Sequence, residues 1–112
     1  MTELTETRIA LNEALFRKTN EAIRRGQWPN EPGKLIRFRC ECSVLDCGEA
    51  VEATIAEYER VRSEPRWFLI LEDHLTPQAE EIVWRTDNFV VVEKTGVAGE
   101  VAEMTDPRTE AA

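Results

Sequence analysis

The chain has 112 residues, of which 42% are hydrophobic and 32% charged, enough for one globular domain with a modest hydrophobic core. The formal net charge of −8 argues against non-specific nucleic-acid binding by the whole chain. The charge is uneven: residues 1–39 carry eight Lys or Arg against five acids, a balance of +3, and residues 40–112 carry six against seventeen, a balance of −11.

The N-terminus, Met1-Thr-Glu-Leu-Thr-Glu6, lacks the basic and then apolar regions of a signal peptide, and no run of 18 apolar residues follows it. A cytoplasmic protein with reduced thiols is therefore expected. Three cysteines, an odd number, speak against a disulfide framework. Residues 5–25 read as a helix closed by Gly26 after Arg24 and Arg25. Its apolar residues form two stripes, Leu4, Leu11, Leu15 and Ala22 on one and Ile9, Phe16 and Ile23 on the other, about 110° apart. They make either one wide core-facing surface or a core stripe and a contact stripe. On the second reading, Ile9, Phe16 and Ile23 stay more exposed than Leu11 and Leu15 and bind a protein partner or a second copy. The cations of this first third (Arg17, Lys18, Arg24, Arg25, Lys34, Arg37 and Arg39) read as solvated faces rather than a nucleic-acid patch.

Residues 26–34 form a linker with two prolines and two glycines, in which Trp28 is expected to fold back as an anchor. In residues 35–42, Ile36, Phe38, Cys40 and Cys42 alternate with charged residues, the pattern of a half-buried strand. A turn over 43–48 and a short strand at 49–53 come next. Thr54 and Glu57 form a capping box that opens a helix through Arg62, with Ile55, Tyr58 and Val61 on one face and Pro65 closing it. Trp67-Phe-Leu-Ile-Leu71 reads as a buried strand that delivers His74 just past its end. Residues 81–85 and 89–93 read as a hairpin around Thr86-Asp-Asn88. From Gly96 the chain is acidic and rich in Ala and Glu, and a disordered tail over 96–112 is expected.

The fold class predicted is α+β. An N-terminal helix (1–25) and linker (26–34) precede a core over 35–95, where residues 35–42, 67–72, 81–85 and 89–93 share one mainly antiparallel sheet covered by one short helix.

Cys40, Cys42, Cys47 and His74 exhaust the cysteines and histidines of the chain, and together supply the four ligands of a closed tetrahedral zinc site. In a strand, Cys40 and Cys42 point to one face; the turn would return Cys47 over them, with Gly48 relieving crowding beside the metal. A buried cluster of reduced cysteines is the competing reading, since Cys40 and Cys42 continue the inward series of Ile36 and Phe38. The metal reading is preferred because Cys47 falls in a polar turn. A redox-reactive Cys47 is disfavoured by the lack of nearby Lys or Arg in sequence. A full site leaves no position for water, so the metal is structural; no residue is assigned a catalytic role.

Phe38-Arg-Cys40-Glu-Cys42, Cys47, Glu57-Tyr-Glu-Arg-Val-Arg62, Phe68-Leu69, His74 and Phe89-Val-Val-Val-Glu-Lys94 together resemble a group of small, uncharacterised bacterial proteins. Asn12-Glu-Ala-Leu-Phe-Arg17 and Asn20-Glu-Ala-Ile23 are similar too. In that group a glycine often follows the second cysteine and Pro-Gly often precedes the histidine, where this chain has Ser43 and Glu72-Asp73. The resemblance implies one intact domain and no function. The functional expectation is a small cytoplasmic zinc-stabilised adaptor or regulatory domain, non-enzymatic, acting through protein contacts. The alternative is a thiol-based redox or metal sensor built on the same cysteines.

Overall fold

The computed structural model describes residues 3–27, 29, 31–42, 47–75 and 80–110. Trp28 and the turn residues 43–46, for which roles were expected, lie outside them. Helix α1 (Glu3–Arg25) ends in Arg24 and Arg25, and the Gly26 amide bonds back to the carbonyls of Ala22 and Ile23, as the terminal glycine predicts. Strand β1 (Ile36–Arg39) follows the linker, then β2 (Ala50–Ala53) and helix α2 (Ile55–Arg62). The capping box forms: the Glu57 amide donates to Thr54 Oγ1 at 3.1 Å, and Glu57 Oε1 accepts from the Thr54 amide at 2.8 Å. Ile55, Tyr58 and Val61 are buried on the inner face of α2, and Tyr58 stacks on Phe38 with ring centroids 4.3 Å apart.

The remaining strands are β3 (Trp67–Ile70), β4 (Glu80–Arg85) and β5 (Val90–Lys94). The hairpin forms, β4 against β5, with a register irregularity between Ile82 and Trp84. The single sheet expected of the strands does not. They divide into an antiparallel pair β1–β2 and an antiparallel sheet ordered β3-β5-β4. The reason lies at Cys40 and Glu41. The Cys40 amide still reaches Glu49 across the first ladder at 3.0 Å, but the Glu41 amide donates to Leu69 of β3 at 2.9 Å. The chain thus changes partner within one residue. The joint core includes Phe38, Val51, Tyr58, Val61, Phe68, Leu69 and Val91.

The disordered tail gives way to structure. Helix α3 (Gly96–Met104) and a short helix α4 (Pro107–Glu110) follow β5, and α3 packs on α1 with Ala98, Gly99 and Ala102 buried. Gly96 begins the helix at φ +57°, in the left-handed region. A side chain at Gly99 would come within 2.7 Å of the Lys94 carbonyl, so this glycine permits the close approach.

Helix α1 is set opposite to expectation. Leu11 and Leu15 are 50% and 59% exposed, whereas Ile9, Phe16 and Ile23 are half-buried. The inward face consists of Ala10, Glu13, Ala14, Arg17, Asn20 and Glu21, all buried. Helix rotation places the Ile9/Phe16/Ile23 stripe about 100° from the centre of that face, and the leucine stripe about 140°. Ile23 therefore packs against the core rim and Phe16 lies under the Arg39 guanidinium at 4.0 Å, while the leucines point away. Of the cations read as solvated, Arg17 is buried: it donates to the carbonyls of Pro65 (2.6 Å) and Ala102 (2.7 Å) and stacks over Phe68.

Candidate metal centre

Cys40 and Cys42 follow the last residue of β1, and Cys47 precedes β2, so the connection between two paired strands carries all three thiols. His74 arrives from the other sheet. After β3, Glu72–His74 form a single 3-10 turn in which the His74 amide donates to the Leu71 carbonyl at 3.0 Å. The turn swings the imidazole back toward β1. As a result the three sulfurs and a ring nitrogen all lie within 4.8 Å of one another, with the cysteines buried and His74 half-buried. The expected residues are therefore brought together without exception. Among the described residues, a side chain at Gly48 would meet nothing within 4 Å.

The distances test the metal reading. Bonds of about 2.3 Å to sulfur and 2.0–2.1 Å to nitrogen, at tetrahedral angles, require a nitrogen-to-sulfur separation of about 3.6 Å. His74 Nδ1 lies 3.4 Å from Cys40 Sγ and 3.6 Å from Cys47 Sγ. These two edges fit a tetrahedral ion of zinc size with Nδ1 as the inward nitrogen. The other ring nitrogen, Nε2, faces Asp73 Oδ1 at 3.7 Å, on the solvent side.

Backbone amides brace the sulfurs. The Leu71 amide donates to Cys40 Sγ at 3.3 Å, and the Glu49 backbone interacts with Cys47 in the sense that favours thiolate. These do not suffice by themselves. A hydrogen bond with Cys42, together with burial, pushes the Cys40 thiol well above its ordinary range, and burial pushes Cys47 up as well. Crowded thiols of this kind stay protonated until a cation compensates their charge.

Glu41, between two of the candidate ligands, is wholly buried. Its Oε1 accepts from Arg62 at 2.7 Å and from the Leu69 amide at 3.1 Å, and its Oε2 accepts from Asn20 at 2.7 Å. Asn20 also clasps the backbone of Arg39, accepting from its amide at 2.6 Å and donating to its carbonyl at 2.8 Å. The segment carrying Cys40 and Cys42 is thereby tied to α1, α2 and β3. The sequence reading gave Glu41 and Asn20 no role. A single carboxylate in a Cys-Glu-Cys segment looks like the outward residue of a strand, and only the change of sheet at this point turns it inward.

No protein-family model, no curated protein and no solved structure matches the chain. Among the described residues, no helix is long and apolar enough to cross a membrane. The molecule is defined by its own geometry: a small α+β protein with a Cys3His cluster, compatible with a bound metal, at the junction of two sheets.

Proposed function

We propose that this chain is a small zinc-stabilised adaptor or regulatory domain whose metal is structural and whose work is done through protein contacts made by α1. The observation that carries the zinc reading is the Cys3His tetrad, in which Nδ1-to-sulfur distances of 3.4 and 3.6 Å match the edges of a zinc tetrahedron. Thiolate with imidazole favours zinc over magnesium or calcium, which prefer oxygen ligands. Four protein ligands fill the coordination shell, leaving no position for water, so the metal would hold structure and not hydrolyse a substrate. Elemental analysis of protein purified without chelator is expected to give one zinc per chain, and Cys40→Ser is expected to lose it. Folded wild-type protein that contains no metal, and whose melting is unmoved by chelator, would remove this reading.

A thiol-based redox or metal sensor is the second reading, favoured by the mutual closeness of the three sulfurs, near enough to pair once a metal leaves. In that chemistry two cysteines give up two electrons and two protons to form a disulfide, and a peroxide takes them up as water. Zinc release by peroxide, reversed by a dithiol reductant, distinguishes the sensor. Retention of zinc under peroxide leaves the structural role.

A further inference from the structure

The outward face of α1 has an organisation that the domain itself does not use. Arg8, Leu11, Leu15, Lys18 and Ala22 follow one another at spacings of three, four, three and four, the period of a coiled-coil seam, and all five are exposed. Arg8 and Lys18 make no ion pair among the described residues, whereas Glu13 and Glu21, the acids of this stretch, are turned inward and bonded there. Thus, in a chain of net charge −8, the exposed charges of α1 from residue 7 to 25 are all positive. Beside the leucines runs a shallow groove of about 130 Å³, lined by Leu11, Ala14, Leu15, Lys18 and Thr105.

We infer that this face is the docking seam for an acidic amphipathic helix of another protein, its apolar side on Leu11 and Leu15 and its carboxylates against Arg8 and Lys18. The proposal rests on the reading of α1 as the contact element and not on the metal. Charge selects the occupant. If a second copy packed antiparallel about the midpoint of the two leucines, Leu11 would face Leu15 but Arg8 would face Lys18. A parallel copy would set each cation against itself. Either pairing confronts like charges across a seam. An anionic membrane is a poorer fit, because two leucines bury little area and an extended negative surface would also meet the exposed Glu100 and Glu103 of α3. A single acidic helix touches only the local positive field, which acts over about 8 Å at physiological ionic strength.

The test uses the zinc-loaded full chain and two synthetic peptides of about four heptads with leucine at a and d, one with glutamate at e and g and the other with lysine there. Titration calorimetry is expected to show saturable binding of the glutamate peptide with a dissociation constant on the order of 10 µM, weakened by salt. Leu15→Glu is expected to weaken it by about tenfold or more and Lys18→Glu by about threefold, with unchanged zinc content and thermal midpoint. Both side chains are exposed, so neither variant threatens the fold. Absence of saturation by the glutamate peptide at about 1 mM, or equal binding of the lysine peptide, overturns the proposal. So does a sedimentation-detected dimer that Leu15→Glu dissociates, or co-sedimentation with vesicles of anionic phospholipid. One zinc per chain in protein that binds no peptide would sink this inference and leave the metal reading standing.

Discussion

Two carboxylates share one ammonium beneath α1. Lys94 Nζ lies 2.5 Å from Glu13 Oε2, also pairs with Glu80, and sits 5.1 Å from the centre of the Phe68 ring. Burial alone would lower the Lys94 pKa, but the two carboxylates reverse that and hold it above its ordinary value. Burial, only partly opposed by Lys94, pushes Glu13 up to about 7. The folded protein keeps this proton up to about pH 7, while the unfolded chain releases it near 4.5. Between those values the folded state binds more protons, so this group's contribution is complete below pH 4.5 and is lost as the pH rises through 7. Urea unfolding of wild type against Glu13→Gln isolates it. The variant is expected to gain stability relative to wild type from pH 5 to pH 8, by an amount on the order of 2–3 kcal/mol. A difference that is constant with pH, or that moves the other way, contradicts the assignment.

Helix α1 and helix α3 are the elements in which local pattern and tertiary setting disagree most, and they settle against each other. Gly99 fixes how closely α3 sits beside the end of β5: an added methyl would press on the Lys94 carbonyl and on the Arg66 guanidinium, which is ion-paired with Glu103 of α3. Gly99→Ala would gain helix propensity in isolation. In the folded protein it is expected to destabilise by about 1–3 kcal/mol, because backbone at that contact cannot yield as a flexible side chain can. Neutral or increased stability in thermal melts would show that α3 is not held this way. What was legible in the sequence follows from the same contrast. The cap at Thr54, the hairpin about Asp87, the terminal glycine of α1 and the gathering of Cys40, Cys42, Cys47 and His74 are short-range or type-limited signals, and all appear in the structure. The orientation of α1 was not legible, because hydrophobic periodicity assumes that apolar stripes face inward. Here the inward face is filled by Glu13, Arg17, Asn20 and Glu21, whose partners (Lys94, the Pro65 carbonyl, Glu41, Tyr58) are remote in sequence. The tail was misread for a related reason. Its composition is that of an unsupported segment, but small residues at Ala98, Gly99 and Ala102 find a helix to pack on.

At the scale of the whole molecule, the two sheets have few direct bonds, and the Cys3His cluster sits across their seam. Cys40, Cys42 and Cys47 come from the β1–β2 side and His74 from the β3-β5-β4 side. Beside them are the Glu41 amide to Leu69, the Leu71 amide to Cys40 Sγ, and the Glu41 carboxylate with its three donors. The radius of gyration, 13.3 Å, is that expected of a fully collapsed chain of this length. A metal bound here would close the junction of two sheets that meet at one strand end. Without it, a hydrogen bond with Cys42 and burial keep the Cys40 thiol protonated, and burial does the same for Cys47. Amide hydrogen exchange is the measurement that resolves where this acts. Chelation is expected to raise exchange at Glu41 and Leu71 by about tenfold or more, while Val91 and Val92, in the strand paired on both sides, change least. Returning zinc should restore protection, with a thermal midpoint that climbs with the free metal concentration, as binding to the folded state alone requires. Equal exchange at Glu41 and Leu71 with and without metal would mean that the sheets are joined by packing alone, and that the cluster merely occupies their junction.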